Sequence, residues 1–146
     1  MKTNIFTRDL KQKGIALTIC AVVYIALQIL SMTLLNSTYL FEWMSRNFYC
    51  YTWFIALAMI VFDKTVLAYF VTFGNLIGTV IGQVLGDILE KIAWSKVTPD
   101  MDEGEIYLKT GHQGVFIWGI ILFASIVFGI TAEIIRGKKR KKLAAA

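Results

Sequence analysis

The sequence predicts an all-α integral membrane protein: a bundle of four transmembrane helices, both termini cytoplasmic, with a short surface helix in the second external loop. Three observations predict it. The 146 residues are 57% hydrophobic with a single proline, and the apolar residues come in long blocks, unlike those of a soluble domain. Lys and Arg gather at the two ends of the chain, as they do in cytoplasmic segments. The third apolar block carries Gly74, Gly78, Gly82 and Gly86 at strict four-residue spacing, a pattern that lets helices approach closely in a bilayer.

The first span covers about 14–36, where the stretch Gly14 to Asn36 holds no charge. About 20 apolar residues cross a ~30 Å hydrocarbon core. A basic segment precedes this stretch, but it is too long for a secretory signal and no A-x-A site follows. Thr18, Gln28, Ser31 and Thr33 give it modest polarity that the bundle can satisfy internally.

The second span covers about 47–62, with Trp43, Tyr49, Tyr51 and Trp53 expected at the outer interface, where amphipathic rings settle. A turn is placed at Asp63-Lys64. The alternative keeps both charges inside a longer helix that turns near Gly74-Asn75, at ~2.5–3.5 kcal/mol for each charge at depth. The third span covers about 65–88. The outer loop after it carries Trp94, then Thr98-Pro99, which reads as an N-cap with proline at the first helical position. Acids follow at 100, 102, 103 and 105, and Lys109 and Gly111 close the segment. That pattern predicts a surface helix from Pro99 to Thr110. The fourth span covers about 113–135.

Topology follows from charge. Lys2, Arg8, Lys11 and Lys13 precede the first span, and Arg136, Lys138, Lys139, Arg140 and Lys141 follow the last. Both ends therefore belong inside, which requires an even number of spans. The expected location is the cytoplasmic membrane of a bacterium. Residues 142–146 resemble an expression-vector scar, leaving one membrane domain over 1–141.

The third span carries the most information about function. Asn75, Thr79, Gln83 and Asp87 each follow a glycine and form a second stripe, rotated about 100° from the first. It extends about 18 Å along the helix at 1.5 Å per residue. The plainer reading is packing, with Ser125 and Gly129 of the fourth span as the small-residue partner of the glycine groove. The sharper reading makes Asn75, Thr79, Gln83 and Asp87 the lining of a ligand site or pathway, formed between chains because four short helices leave little room within one. The basic tail, 136 and 138–141, fixes topology and suits anionic lipid headgroups.

Catalytic chemistry finds no foothold. Asp87 and Glu133 fall at opposite depths and cannot act as a pair, and both are expected to be solvated at the interfaces. The single His112 has no Cys partner and only scattered acids, too few for a zinc site. It reads as an interfacial cap. The acids of the outer loop miss the calcium-loop spacing. Cys20 and Cys50 lie too far apart for a disulfide and read as apolar packing. No P-loop, Rossmann glycine pattern, G-x-S-x-G or H-E-x-x-H occurs. No metal, cofactor or nucleic-acid partner is expected. The expected partners are the lipid bilayer and either further copies of the chain or a larger membrane protein. The leading functional expectation is a small transport, channel or ligand-binding subunit. A non-catalytic accessory subunit comes next, then a membrane enzyme acting on a lipid.

Overall fold

The computed structural model describes residues 2–47 and 49–145, with side chains described over 10–47 and 51–139. The protein is all-helical, 84% helix, with no strand among the described residues. Six helices follow in order: α1 (Lys2–Met32), α2 (Tyr39–Asn47), α3 (Tyr49–Val61), α4 (Thr65–Trp94), α5 (Glu103–Thr110) and α6 (Gly114–Ala145). Among the described residues three stretches are long and apolar enough to cross a membrane: Leu10–Met32, Thr65–Trp94 and Glu103–Lys139. Helix α3 is a shorter apolar helix of 13 residues.

Helix α4 is the axis of the bundle. It touches each of the other five helices, α6 most extensively. Its buried positions are Ala68, Val71, Thr72, Gly74, Asn75, Gly78, Thr79, Gly82, Gln83 and Gly86. These recur every three or four residues, so they share one face. The large aliphatics between them, Ile77, Val80, Ile81, Val84 and Leu85, are exposed. Small and polar residues face inward and aliphatic ones outward. Lipid is as apolar as leucine, so packing and hydrogen bonding decide which face is enclosed.

The turn between α3 and α4 is the one placed at Asp63-Lys64. Helix α3 ends at Val61, and Asp63 takes a left-handed φ of 62°, a conformation Asp tolerates better than most residues. The Lys64 N–H then donates to Met59 O at 2.7 Å. Asp63 also pairs with Lys13 of α1 at 2.5 Å, so the basic N-terminal segment and this turn share one end of the bundle. Glu133 and Arg136 of α6 reach the same end. Glu133 Oε2 accepts the Val66 N–H at 3.1 Å, and Arg136 Nη1 donates to Thr65 Oγ1 at 2.7 Å. Glu133 thus holds the first turn of α4, where expectation had it solvated.

Three local expectations differ from the structure. Residues 39–47, assigned to an external loop, form α2, whose Leu40, Phe41 and Met44 are buried. Helix α2 packs on α1, α4 and α6, and Trp43 and Trp53 are half-buried against neighbouring helices. Trp43 packs on Trp118, and Trp53 packs on Tyr24. The surface helix starts at Glu103, not Pro99. Asp102 caps it by accepting the Glu105 N–H at 2.8 Å, while 98–101 closes as a turn through Met101 N–H to Thr98 O. A side-chain cap with acids in the first turn outcompetes proline alone. Finally, Thr18 and Ser31 of α1, and Thr33 just past its end, bond back to α1 carbonyls four residues earlier, so they do not satisfy one another across the bundle. Cys20 is a buried free thiol, and the Cys50 side chain lies outside the described residues.

Candidate functional site

The polar face of α4 meets α2 and α6 inside one chain. Close approach comes first. At Gly82 an added Cβ would lie 2.7 Å from Gly114 O, and at Gly114 one would lie 2.9 Å from Gly82 O. The two backbones are in direct contact there, and only glycine on both sides allows it. A Cβ at Gly78 would press on Trp118 at 3.1 Å, one at Gly74 would collide with Ser125, and one at Gly86 would collide with the His112 ring. Gly129 faces Leu67 and Phe70 of α4 in the same way.

This proximity brings together polar groups that are far apart in sequence. Asn75 and Thr79 are fully enclosed and Gln83 is nearly so. Trp118 Nε1 donates to Asn75 Oδ1 at 3.0 Å, and Thr79 Oγ1 donates to Asn75 O at 2.8 Å. Gln83 works at both ends of its amide. Its Oε1 accepts the Leu40 N–H at 2.6 Å, and its Nε2 donates to Asp87 Oδ1 at 2.7 Å. Leu40 lies in the first turn of α2, where backbone donors have no intrahelical partner, so Gln83 serves as a cap borrowed from another helix.

His112 completes the arrangement. Its side chain is only 3% exposed, and Nε2 lies 3.2 Å from Asp87 Oδ1, whose side chain is 47% exposed. The Gly114 N–H points at Nδ1 at 3.0 Å. A backbone N–H can only donate, so Nδ1 accepts and the ring proton sits on Nε2, from which it donates to Asp87. Tyr39 packs on the ring with centroids 4.3 Å apart. The carboxylate of Asp87 thus collects donors relayed from the starts of two helices, α2 through Gln83 and α6 through His112. Both helix N-termini favour a negative charge there.

Glu90 is the residue that sequence reasoning missed. Asp87, Glu90 and His112 present ligand atoms within 4.8 Å of one another. The signal was available: Asp87 and Glu90 are three apart on one helix and so share a face. Donor arithmetic works against a cation at this trio. A metal on Nε2 would move the ring proton to Nδ1, against the Gly114 N–H. The ring is wedged between Gly86 and Gly114 and has no room to turn. A base role meets the same obstacle, since both ring nitrogens are engaged and, among the described residues, no hydroxyl or thiol bonds to either.

Polarity continues below Asn75. Thr72 and Thr52 are buried, and the Tyr24 hydroxyl lies beside both of them. Asn75 Nδ2 is buried with no hydrogen-bond partner, the one unmet donor of the α4 polar face. In the tail, Lys138 and Lys139 are exposed and Arg136 is engaged with Thr65. The side chains of Arg140 and Lys141 lie outside the described residues. The α6 backbone continues to Ala145, through the segment expected to be a scar.

Comparison of the chain with protein-family models, with curated proteins and with solved structures finds no match. What the molecule establishes about its class is a helical protein with three helices able to cross a membrane.

Proposed function

We propose that the chain is a small multi-spanning membrane subunit that binds or conducts a small polar solute along the inward face of α4, entering at Asp87. The observation that carries this reading is the combination at the two ends of that face. Asp87 is half open to solvent at one end, and a fully enclosed amide donor, Asn75 Nδ2, waits without a partner about 18 Å away at 1.5 Å per residue. Asn75, Thr79 and Gln83 lie between α4 and its neighbours in one chain, so the site proposed here needs no second copy to line it. Further copies, or a larger membrane protein, are proposed to cover the exposed apolar side of α6.

The topology proposed with it has four crossings, both termini cytoplasmic, in the cytoplasmic membrane of a bacterium. Helix α3 alone rises about 20 Å, short of the ~30 Å core. Tyr39 of α2 stands at the His112 end, and Asp63, just past α3, stands at the Lys13 end. In tandem, α2 and α3 therefore supply the second crossing. The Lys/Arg bias of both termini supports the cytoplasmic assignment.

A second reading, a non-catalytic accessory subunit, is favoured by a different observation: nearly every polar group on the α4 face finds its partner within the chain. Reconstitution of the purified protein in liposomes separates the two. Solute and proton flux and solute-induced thermal shift are compared for the parent, Gln83→Leu and Asp87→Asn. The binding reading expects flux or a shift in the parent that both variants lose. If the parent gives neither, and both variants are as stable as the parent, the accessory reading replaces it. Labelling of single cysteines at 96–105 from the cytoplasmic side would overturn the topology.

A further inference from the structure

At the end of the bundle opposite Asp87, a crevice of about 670 Å³ opens between the end of α3, the start of α4 and the last turns of α6. Its walls are apolar: Met59 and Phe62 from α3 and the turn after it, Leu67 from α4, Ile130 and Ile134 from α6. Its rim carries two cations, Lys64 and Lys138. Both are exposed, and among the described residues neither has an ion-pair partner. The one acid in the lining, Glu133, is committed to the Val66 N–H. Arg136, one turn of α6 further on, is committed to Thr65. Lys64 occupies the N-cap position of α4, where an ammonium, a donor only, cannot cap the helix's own N–H groups.

We propose that this crevice is a binding site for an anionic phospholipid, with Lys64 and Lys138 on the headgroup phosphate and an acyl chain against the apolar walls. Charge and shape select this occupant together. Two unpaired cations at the mouth call for an anion, and an apolar interior continuous with the lipid-facing surface calls for a hydrocarbon tail. Basic pockets between membrane helices at the cytoplasmic side bind anionic lipids by this chemistry. A free phosphate would meet the lysines alone and leave the walls uncovered. Phe62 and Val61, exposed at the turn, extend the apolar surface toward the bilayer. The site is independent of the polar face of α4 and stands whether or not the chain moves a solute.

Gly137 allows a clean test. It lines the crevice, and an added Cβ there meets nothing within 4 Å. Gly137→Leu therefore fills the mouth without disturbing the packing. The full chain, purified in detergent, is titrated with phosphatidylglycerol, phosphatidylcholine and inorganic phosphate, and lipid retention is read by native mass spectrometry with thermal shift alongside. Phosphatidylglycerol is expected to be retained preferentially. Lys64→Gln with Lys138→Gln should weaken it about thirty-fold, at the contribution of two lysines near a headgroup. Gly137→Leu should abolish retention while its lipid-free melting midpoint stays at the parent's value. Lys96→Gln with Lys109→Gln, an equal loss of charge at the other end of the bundle, should leave retention unchanged. Equal retention of phosphatidylcholine, full competition by inorganic phosphate, or unchanged retention in Gly137→Leu would each overturn the proposal.

Discussion

Helices α4 and α6 have nearly the same length, 30 and 32 residues, and lie side by side, yet the bundle treats them oppositely. Half of the most apolar 18-residue window of α4 is buried, against 6% of the corresponding window in the Glu103–Lys139 stretch, which takes in most of α6. The buried helix is the one interrupted by Asn75, Thr79 and Gln83. The exposed one presents Phe116, Ile120, Phe123 and Phe128 outward. In water the ranking would be reversed, because burial there follows hydrophobicity. In a bilayer a phenylalanine gains little by leaving lipid, whereas an amide loses its partners there. Small residues let the enclosed helix be approached, and polar ones fix which neighbours approach it.

The contrast can be broken most severely at Gly82. Gly82→Leu forces a side chain against Gly114 O and Leu40 and is expected to cost about 3 kcal/mol, read as loss of the folded, monodisperse species in detergent. Leu85→Ala, on the outward face of the same helix, should leave that species in place. Next in size is His112→Ala, which strips a partner from both Asp87 and Gly114 and empties the space between Gly86 and Gly114. It should cost about 2 kcal/mol in thermal or denaturant unfolding. Trp118→Phe removes the donor to Asn75 and keeps most of the ring. Interhelical bonds of this kind average about 0.6 kcal/mol in membranes, so a small but resolved fall in the melting midpoint is expected. Phe123→Ala should have the smallest effect, within about 0.5 kcal/mol, although it deletes far more apolar surface than Trp118→Phe. A larger loss at Phe123 than at Trp118 would reverse the comparison.

Much of α4 was legible because its information is periodic and local. Glycines every fourth residue with a polar residue after each one define a face without reference to the rest of the chain. Ser125 and Gly129 offered a matching small-residue face, and the structure sets Gly74 against Ser125. The Asp63-Lys64 turn was legible from the cost of carrying two charges into hydrocarbon. What stayed hidden depends on contacts distant in sequence. Helix α2 contains Glu42 and Arg46, which read as an external loop. Their i,i+4 ion pair at 2.6 Å and the spacing of Leu40, Phe41 and Met44 were the overlooked signs of an amphipathic helix. The meeting of Asp87, Glu90 and His112 spans a loop and a short helix, and no spacing rule foretells it. Enclosure of the polar stripe within one chain was equally hidden, because it requires α2 to pack at the Asp87 end of the bundle.

The central claim is that the small and polar face of α4 is closed by α6 of the same chain. An added Cβ at Gly78 lies 3.5 Å from Ile121 Cβ, within the range a disulfide accepts. The direct measurement is oxidation of Gly78→Cys with Ile121→Cys, made in a Cys20→Ser, Cys50→Ser background and followed by free-thiol counting and non-reducing electrophoresis. The account predicts loss of both thiols with the protein still migrating as a monomer. Thiols that remain free, or a disulfide-linked dimer, would contradict it.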